Sequence, residues 1–283
     1  MNKEILIFGG GFIGNRISEE LDIPVSAKRI NTIEDAQSEI EKYKPSVIIN
    51  CIGHYGNNVD ACELDKAGSI TSFVTAPLLL AECAVRNAIK LVHISSGCLY
   101  KYDYKTNIPI PEDQPPDFHD LFYSRLKIYA ESALYSLGDA ADILQLRIRM
   151  PLDWKPHKRN LLSKLLSFKS VIDIPNSVTY IPDLCAALKH LLSVKAEGVF
   201  NVVNYGGLRY REILEEYRKH NVNYNYSIME LSELKSVRTN LLLSTDKLES
   251  TGFIIADIHE RLKDCVDKFC TLEPPRPHEF INR

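Results

Sequence analysis

Short apolar runs alternate with segments of helical periodicity along the first half of the chain. Runs rich in isoleucine and valine recur at 5–8, 46–51, 90–95 and 143–148. Apolar residues at helical spacing lie between them, around 32–43, 70–88 and 121–137. Strands that are apolar on both faces and alternate with helices are typical of an α/β fold with a doubly wound parallel sheet, which we therefore predict.

The second half of the chain has a less regular pattern, with prolines at 151, 156, 175 and 182. It contains one strand-like run at 198–203 and helical segments near 182–193, 209–219 and 256–270. We expect residues 1–150 to form one domain and residues 151–283 a smaller α/β lobe that is interleaved with it. The proline-rich tail, 272–283, does not predict a regular element.

Composition narrows the class of protein. Apolar residues make up 45% and charged residues 25%, as in ordinary globular chains. The balance of 34 basic and 37 acidic residues argues against a nucleic-acid partner. Seven cysteines without a CxxC pair favour a reduced, cytoplasmic setting, and the histidines show no metal spacing, so no metal is expected. We expect no signal peptide and no membrane span, because no apolar run reaches about 18 residues.

A glycine motif, G-x-G-x-x-G, directly follows the first predicted strand and opens a helical segment. Gly9 permits a tight turn, Gly11 lets the backbone approach a pyrophosphate, and Gly14 lets the helix pack on the strand. This context predicts that residues 1–150 are a Rossmann-like dinucleotide-binding domain, with Phe12 and Ile13 also at the cofactor. The alternative is a glycine-rich turn that binds nothing.

The choice of cofactor depends on the residues after the second predicted strand. The acidic residue that usually binds the adenosine ribose is absent, and Lys28 and Arg29 stand there instead. Cations suit a 2′-phosphate, so NADP(H) is favoured over NAD(H), although both could be ordinary surface charges. Three residues after the third strand, Cys51, Ile52 and Gly53, are also expected at the cofactor, and His54 could contact it.

A tyrosine and a lysine, Tyr123 and Lys127, have the spacing that puts both side chains on one face of a helix. An ammonium near a phenol favours phenolate, so we expect Lys127 to lower the pKa of Tyr123 and make it a proton donor to a ketone that receives hydride. Ser95 and Ser96 end the fourth strand, where a hydroxyl can bond the same carbonyl. The alternatives are a solvated Tyr/Lys face and a serine bonded only to backbone.

Together with "INCIG", "SSGCLYKYD", "FYSRLK" and "LRIRMP", these motifs resemble the extended short-chain dehydrogenase/reductase family. They are most similar to the nucleotide-4-keto-6-deoxyhexose 3,5-epimerase/4-reductases and, more distantly, to the dTDP-4-dehydrorhamnose reductases. The similarity runs from residue 4 to about residue 250. It implies that Ser96, Tyr123 and Lys127 carry the reduction, with Ser96 chosen over Ser95 because it lies four residues before Tyr100.

The same resemblance assigns acid/base roles to Cys98 and Lys164. A ketone at C4 acidifies the hydrogens at C3 and C5, and epimerisation needs proton-exchanging groups on both sides of the sugar. A thiol and a lysine whose pKa is lowered by burial can both serve near neutral pH. The alternatives are a buried structural cysteine and a surface lysine.

Substrate binding is assigned to three further residues. Arg147 and Arg149 alternate on a strand and point to opposite faces, so we expect one to pair within the protein and Arg149 to meet the diphosphate. Asn160 and Asn176 are implied by resemblance only.

The chain departs from its relatives in three places. The cofactor loop is one residue shorter, the loop 53–58 differs, and Phe73 stands where relatives carry an asparagine.

The sequence therefore predicts an NADPH-dependent 3,5-epimerase/4-reductase that converts a UDP- or dTDP-4-keto-6-deoxyhexose to a nucleotide-rhamnose or a relative of it. A homodimer is possible. Two alternatives stay open at this point, a 4-keto reductase without epimerase activity and a non-catalytic nucleotide-binding regulatory subunit.

Overall fold

A six-stranded parallel sheet forms the centre of the protein. The computed structural model describes residues 4–54, 56, 59–234 and 237–274. The strands of the sheet are β1 (Ile5–Phe8), β2 (Val25–Ser26), β3 (Val47–Asn50), β4 (Lys90–Ser96), β5 (Ile143–Ile148) and β9 (Gly198–Asn201). Their order is β2-β1-β3-β4-β5-β9. The predicted doubly wound sheet is confirmed.

Helices cover both faces of this sheet. The long helices of the first half are α1 (Phe12–Leu21), α2 (Ile33–Tyr43), α5 (Ala76–Asn87) and α6 (Phe122–Tyr135). The short ones are α3 (Ala61–Leu64) and α4 (Lys66–Ile70), and a π-helical turn, Thr71–Thr75, joins α4 to α5. Helix α1 packs beside α8 (Ile181–Ser193) on one face, and α2, α5 and α6 pack on the other.

The strand order reverses between β1 and β3, which lie side by side in register with Phe8 opposite Asn50. The chain leaves β1 and β3 toward opposite faces, which opens a crevice at their carboxyl ends. Ligands of open α/β sheets bind in such crevices. The predicted cofactor loop follows β1, so it borders this crevice.

One predicted strand lies in a different place from the one expected. The run at 198–203 was expected in the smaller lobe, but β9 joins the main sheet and pairs with β5, with Leu146 opposite Phe200. The apolar pattern predicts that a segment is a strand, but it does not predict which strand it pairs with. Any exposed edge of a sheet offers the same backbone hydrogen bonds.

The remaining elements form the smaller lobe around its own apolar core. Its strands pair in two short parallel ribbons, β6 (Pro151–Leu152) with β8 (Thr179–Tyr180) and β7 (Ser170–Ile172) with β10 (Ser227–Met229). Its helices are α7 (Leu161–Leu165), α9 (Tyr210–Arg218) and α11 (Ile258–Leu272). Helix α10 (Asp246–Ser250) packs against β9 of the main sheet, and 3₁₀ turns lie at Gly138–Ala140 and Leu231–Glu233. Tyr55, Asn57 and Asn58 of the loop 53–58, and residues 275–283 of the tail, lie outside the described residues.

Within the described residues one helical stretch, Lys66–Asn87, has the length and composition to cross a membrane. It is a core helix, because α5 buries its apolar side against the sheet. All seven cysteines are unpaired thiols. No group of three metal-binding side chains occurs in the part of the chain that the structure describes.

Candidate active site

The glycine loop after β1 has the geometry that its motif predicts. Gly9 has a φ of +102°, and a β-carbon there would lie 2.6 Å from the carbonyl carbon of Cys51. A β-carbon on Gly14 would lie 2.1 Å from the carbonyl oxygen of Gly9. Gly11 faces open space and caps α1 without any side-chain hydrogen bond, so the first amides of the helix remain available to an anion.

Phe12 and Ile13 follow at the start of α1, one buried and one half-buried. The Phe12 ring stacks on His157 of the smaller lobe, with ring centroids 4.6 Å apart and an interplanar angle of 3°. The smaller lobe therefore reaches over the cofactor loop.

The segment after β3 lies against this loop. Cys51 donates its amide hydrogen to the carbonyl of Phe8 at 2.7 Å, and Ile52 donates to the Asn50 side chain at 3.0 Å. Burial raises the pKa of the Cys51 thiol to about 12, so the thiol stays protonated. Cys51, Ile52 and Gly53 thus border the crevice, and their contact with a cofactor stays a prediction.

Lys28 and Arg29 follow β2 at the same edge of the sheet, as predicted. Both are exposed, and the Lys28 ammonium lies 3.2 Å from the carboxylate of Asp35. Contact with a 2′-phosphate stays a prediction, and it would compete with this surface ion pair.

The two serines at the end of β4 point in opposite directions, as neighbours on a strand do. The Ser96 hydroxyl hydrogen-bonds the phenol of Tyr123 and accepts the amide hydrogen of Cys98 at 3.1 Å. The Ser95 hydroxyl donates to Glu131 at 2.7 Å on the other side. The structure therefore brings Ser96, and not Ser95, to the tyrosine.

Tyr123 and Lys127 lie on one face of α6, but their electrostatics differ from the expectation. Burial raises the pKa of Tyr123, and the thiol of Cys98 adds to the rise, while the bond from Ser96 opposes it. The predicted lowering of this pKa by Lys127 is wrong for this structure, because burial of the phenol outweighs any nearby charge. Burial also lowers the pKa of Lys127 to about 8, and its ammonium donates to the carbonyl of Ile94 at 3.1 Å.

Cys98 is half-buried, and its sulfur accepts a hydrogen bond from Arg149 at 3.1 Å. Lys164 extends from α7 of the smaller lobe; its pKa is lowered by burial first and by Arg159 second, whereas Cys98 raises it. The predicted lowering of the Lys164 pKa is confirmed, and Lys164 is not a solvated surface lysine. The Ser96 hydroxyl bonds both the Tyr123 phenol and the Cys98 amide, so the structure brings these three residues together, with Lys127 one helical turn from Tyr123 on α6.

The three predicted substrate-binding residues are fully buried and bonded to protein groups. Arg149 donates to Asn176 at 2.6 Å, to the Gly97 carbonyl at 3.3 Å and to both the hydroxyl and the carbonyl of Thr239. Asn160 caps α7 and donates to the carbonyls of Asp153 and Lys155. These bonds support the walls of the site, and direct contact of the three residues with substrate stays a prediction.

Arg147, on β5 two residues before Arg149, pairs with Glu131, so the expected internal ion pair is confirmed.

Sequence reasoning missed two residues that face the site from the smaller lobe. Arg159 donates to the carbonyls of His54 at 2.5 Å and of Gly56 at 2.9 Å, and so ties the two lobes together beside the crevice. The Tyr210 phenol, whose pKa is raised by burial, interacts electrostatically with Arg149 and Cys98. Helical periodicity predicted the helix that contains Tyr210. It could not predict the approach of Tyr210 to Arg149 and Cys98, because both lie more than 60 residues earlier in the chain.

Three comparisons with known proteins agree with this architecture. A family model described as "RmlD substrate binding domain" matches residues 3–270. A bifunctional dTDP-4-dehydrorhamnose 3,5-epimerase/dTDP-4-dehydrorhamnose reductase of Arabidopsis thaliana is 28% identical over 274 residues, which cover 91% of this chain and 90% of the plant protein.

Among solved structures, the L780 UDP-rhamnose synthase from Acanthamoeba polyphaga mimivirus matches with a TM-score of 0.83 and 26% identity, covering 93% of this chain and 99% of that one. A dTDP-4-dehydrorhamnose reductase from Bacillus anthracis, solved in complex with NADP, matches with a TM-score of 0.79. The two sequences are 18% identical, and the match covers 95% of this chain and 99% of the Bacillus anthracis chain. This likeness shows a shared fold.

Proposed function

Because the chain belongs to the RmlD substrate binding domain family of extended short-chain dehydrogenase/reductases, we propose that it is an NADPH-dependent nucleotide-4-keto-6-deoxyhexose 3,5-epimerase/4-reductase. The family comprises nucleotide-sugar epimerases and reductases, and the chain is one of these nicotinamide-dependent enzymes. To this family assignment the proposal adds three points: the chain has both epimerase and reductase activity, it prefers NADPH, and it converts a UDP- or dTDP-linked substrate to a nucleotide-rhamnose or a relative of it.

The residues of the crevice fit a dinucleotide. The open backbone at Gly11 and the uncapped start of α1 would hold the pyrophosphate, while Lys28 and Arg29 would meet a 2′-phosphate. When bound, the cofactor supplies hydride to C4 of the sugar.

For reduction, Tyr123 is the proton donor. Its raised pKa keeps the phenol protonated at neutral pH, and the bond with Ser96 fixes the direction of its hydroxyl. Ser96 and Tyr123 together would bond the oxygen at C4, so both donors act where negative charge develops. Lys127 supplies a positive charge one helical turn away, which favours electron flow toward that oxygen.

For epimerisation, Cys98 and Lys164 are the acid/base pair. They come from different lobes, one from the loop after β4 and one from α7, so a sugar ring between the lobes would have one on each side. Burial lowers the pKa of Lys164 toward neutrality, where an amine can both take and return a proton. The enolate formed at C4 would be stabilised by the same donors, Ser96 and Tyr123.

The observation that carries the proposal is that Cys98 shares one loop with the reductase serine: its amide donates to the Ser96 hydroxyl, and the same hydroxyl bonds the Tyr123 phenol. A thiol beside these two donors is placed to exchange a proton next to the C4 carbonyl that they would bond.

Deuterium exchange separates the two activities. Incubation with UDP- or dTDP-4-keto-6-deoxyglucose in D₂O without NADPH is expected to place deuterium at C3 and C5. Cys98→Ala is expected to slow this exchange by about 100-fold or more while sparing reduction of a substrate that has already been epimerised. Cys83→Ala, which removes a buried thiol of α5 far from Tyr123, serves as the matched control.

The other outcomes separate the remaining functions. Oxidation of NADPH without any exchange would leave the 4-reductase alone. Tight binding of NADPH with no oxidation in the presence of UDP-, dTDP- or GDP-linked keto-sugars would overturn the enzyme and favour a regulatory subunit.

A further inference from the structure

The Phe73 ring contacts both Tyr123 and Lys127, the two helix residues assigned to reduction. We propose that Phe73 is a positioning residue for the Tyr123–Lys127 pair, with its ring face holding the ammonium and its ring packing at right angles to the phenol. This inference rests on the proposed function only for its consequence in catalysis.

The geometry involves two distinct ring contacts. The Lys127 ammonium lies over the Phe73 ring, 5.1 Å from its centroid. The rings of Phe73 and Tyr123 are 5.2 Å apart with an interplanar angle of 89°, the T-shaped arrangement that aromatic quadrupoles prefer. Because Phe73 is only 7% exposed, both contacts are shielded from water.

The local backbone explains how the ring reaches this place. Phe73 is the central residue of the π-helical turn Thr71–Thr75, which packs against α6. A π turn inserts one extra residue into a helix and rotates the side chains that follow, and such turns are frequent at functional sites. Phe73, Cys62 and Leu126 form a small apolar cluster, so the ring has little room to move.

The contact between the Phe73 ring and the Lys127 ammonium offsets part of the free-energy cost of burying a charged lysine. Burial disfavours the charged amine, and within the described residues the ammonium donates to a single acceptor, the Ile94 carbonyl. The Phe73 ring offers this amine the negative face of its π system. A desolvated cation–π contact is among the stronger of its kind. Phe73 thereby keeps Lys127 charged near neutral pH.

Other groups also act on Lys127, and each is held constant when only the ring is changed. Glu131 on the same helix favours the charged amine, three cysteines from neighbouring elements would do so only as thiolates, and His93 on β4 interacts with it when protonated. These groups are Glu131, Cys51, Cys62, Cys98 and His93.

The decisive test replaces Phe73 by 4-fluoro-, 3,5-difluoro- and 3,4,5-trifluorophenylalanine. Fluorine substituents withdraw electron density from the ring and so reduce the negative potential of its face. They leave the size and shape of the side chain nearly unchanged, so the fold is expected to be preserved. Titration of Lys127 is followed by NMR of protein labelled with [¹³Cε]lysine, with the signal assigned by its loss in Lys127→Met. The pKa of Lys127 is expected to fall stepwise, by roughly half a unit to one and a half units over the series.

Phe122 provides the matched control, because its ring lies in the same cluster but faces Lys66 and Arg125 instead of Lys127. Fluorination of Phe122 is expected to leave the Lys127 titration unchanged. An unchanged titration across the Phe73 series, or an equal shift from Phe122, overturns the inference. Phe73→Leu, which removes the ring entirely, is expected to shift the pKa at least as far as trifluorination.

The readout needs neither substrate nor turnover, so it stands apart from the proposed function. A protein that is inactive on every keto-sugar nucleotide would end that proposal and leave the titration result intact. A flat titration in an active enzyme would end this inference alone.

Discussion

The guanidinium of Arg149 donates a hydrogen bond to the sulfur of Cys98, although Arg149 itself is only 1% exposed. Its other bonds reach the Gly97 carbonyl, Asn176 and Thr239. One buried side chain thus ties the loop after β4 to two separate segments of the smaller lobe. The position of the proposed acid/base sulfur depends on an arginine that the sequence assigned to substrate.

Arg149→Met is expected to destabilise the protein by about 3 kcal/mol or more, because several buried acceptors lose their donor at once and each unsatisfied group costs about 1–3 kcal/mol. Denaturant unfolding measures the change. Arg218→Met, which breaks only an exposed pair with Glu215, is expected to stay within about 0.5 kcal/mol. Equal effects of the two substitutions would show that the buried network adds nothing.

Two glycines of the cofactor loop are expected to respond differently to alanine. Gly14→Ala places a β-carbon against the carbonyl oxygen of Gly9 and is expected to lower the free energy of unfolding by about 1–3 kcal/mol. Gly11→Ala meets no atom within 4 Å, so stability is expected to hold while the Kd for NADPH rises about 10-fold or more, since the β-carbon blocks the pyrophosphate. Thermal unfolding and calorimetric binding separate the effects. Normal NADPH affinity in Gly11→Ala would place the pyrophosphate elsewhere.

The pH profile of reduction is expected to follow Lys127. Its pKa lies near 8, below the ordinary value for lysine, so the ammonium prevails at lower pH and is lost as pH rises through 8. Tyr123 remains protonated in this range because its own pKa is raised. We therefore expect kcat/KM to be level near neutrality and to fall above about pH 8, toward a tenfold loss per unit. A profile level to about pH 10 would contradict the assigned role of the lysine.

Cofactor preference is expected to depend on the cations after β2. Lys28→Glu opposes a 2′-phosphate and is expected to lower the NADPH-to-NADH ratio of kcat/KM by about 10-fold or more, the usual worth of a hydrogen bond to a charged group. Lys42→Glu alters a similar exposed lysine, paired with Glu39 on α2, and is the control. If Lys28→Glu left the ratio unaltered, Lys28 would have no part in cofactor preference and would serve only in the surface ion pair with Asp35.

Features of the fold that depend on local sequence pattern were predicted well from the sequence. Short apolar runs located β1, β3, β4, β5 and β9, and helical spacing located most of the long helices. The glycine motif predicted the tight turn at Gly9 and the packing at Gly14. These features are fixed by residues within a few positions of one another, so a single sequence contains the information.

Features that depend on tertiary environment escaped prediction. The spacing of Tyr123 and Lys127 is visible in the sequence, but the burial that raises one pKa and lowers the other involves residues 50 or more positions away, such as Phe73. Arg159 was missed for the same reason, since its partners His54 and Gly56 lie more than 100 residues earlier.

The sixth strand of the main sheet arrives from beyond the middle of the chain. A fragment that stops at residue 150 would therefore leave Leu144–Arg147 of β5, the residues that pair with β9, as an unpaired edge. Such an edge is a template for pairing with other chains. We therefore expect truncation at residue 150 to yield aggregates instead of a soluble, independently folded first half.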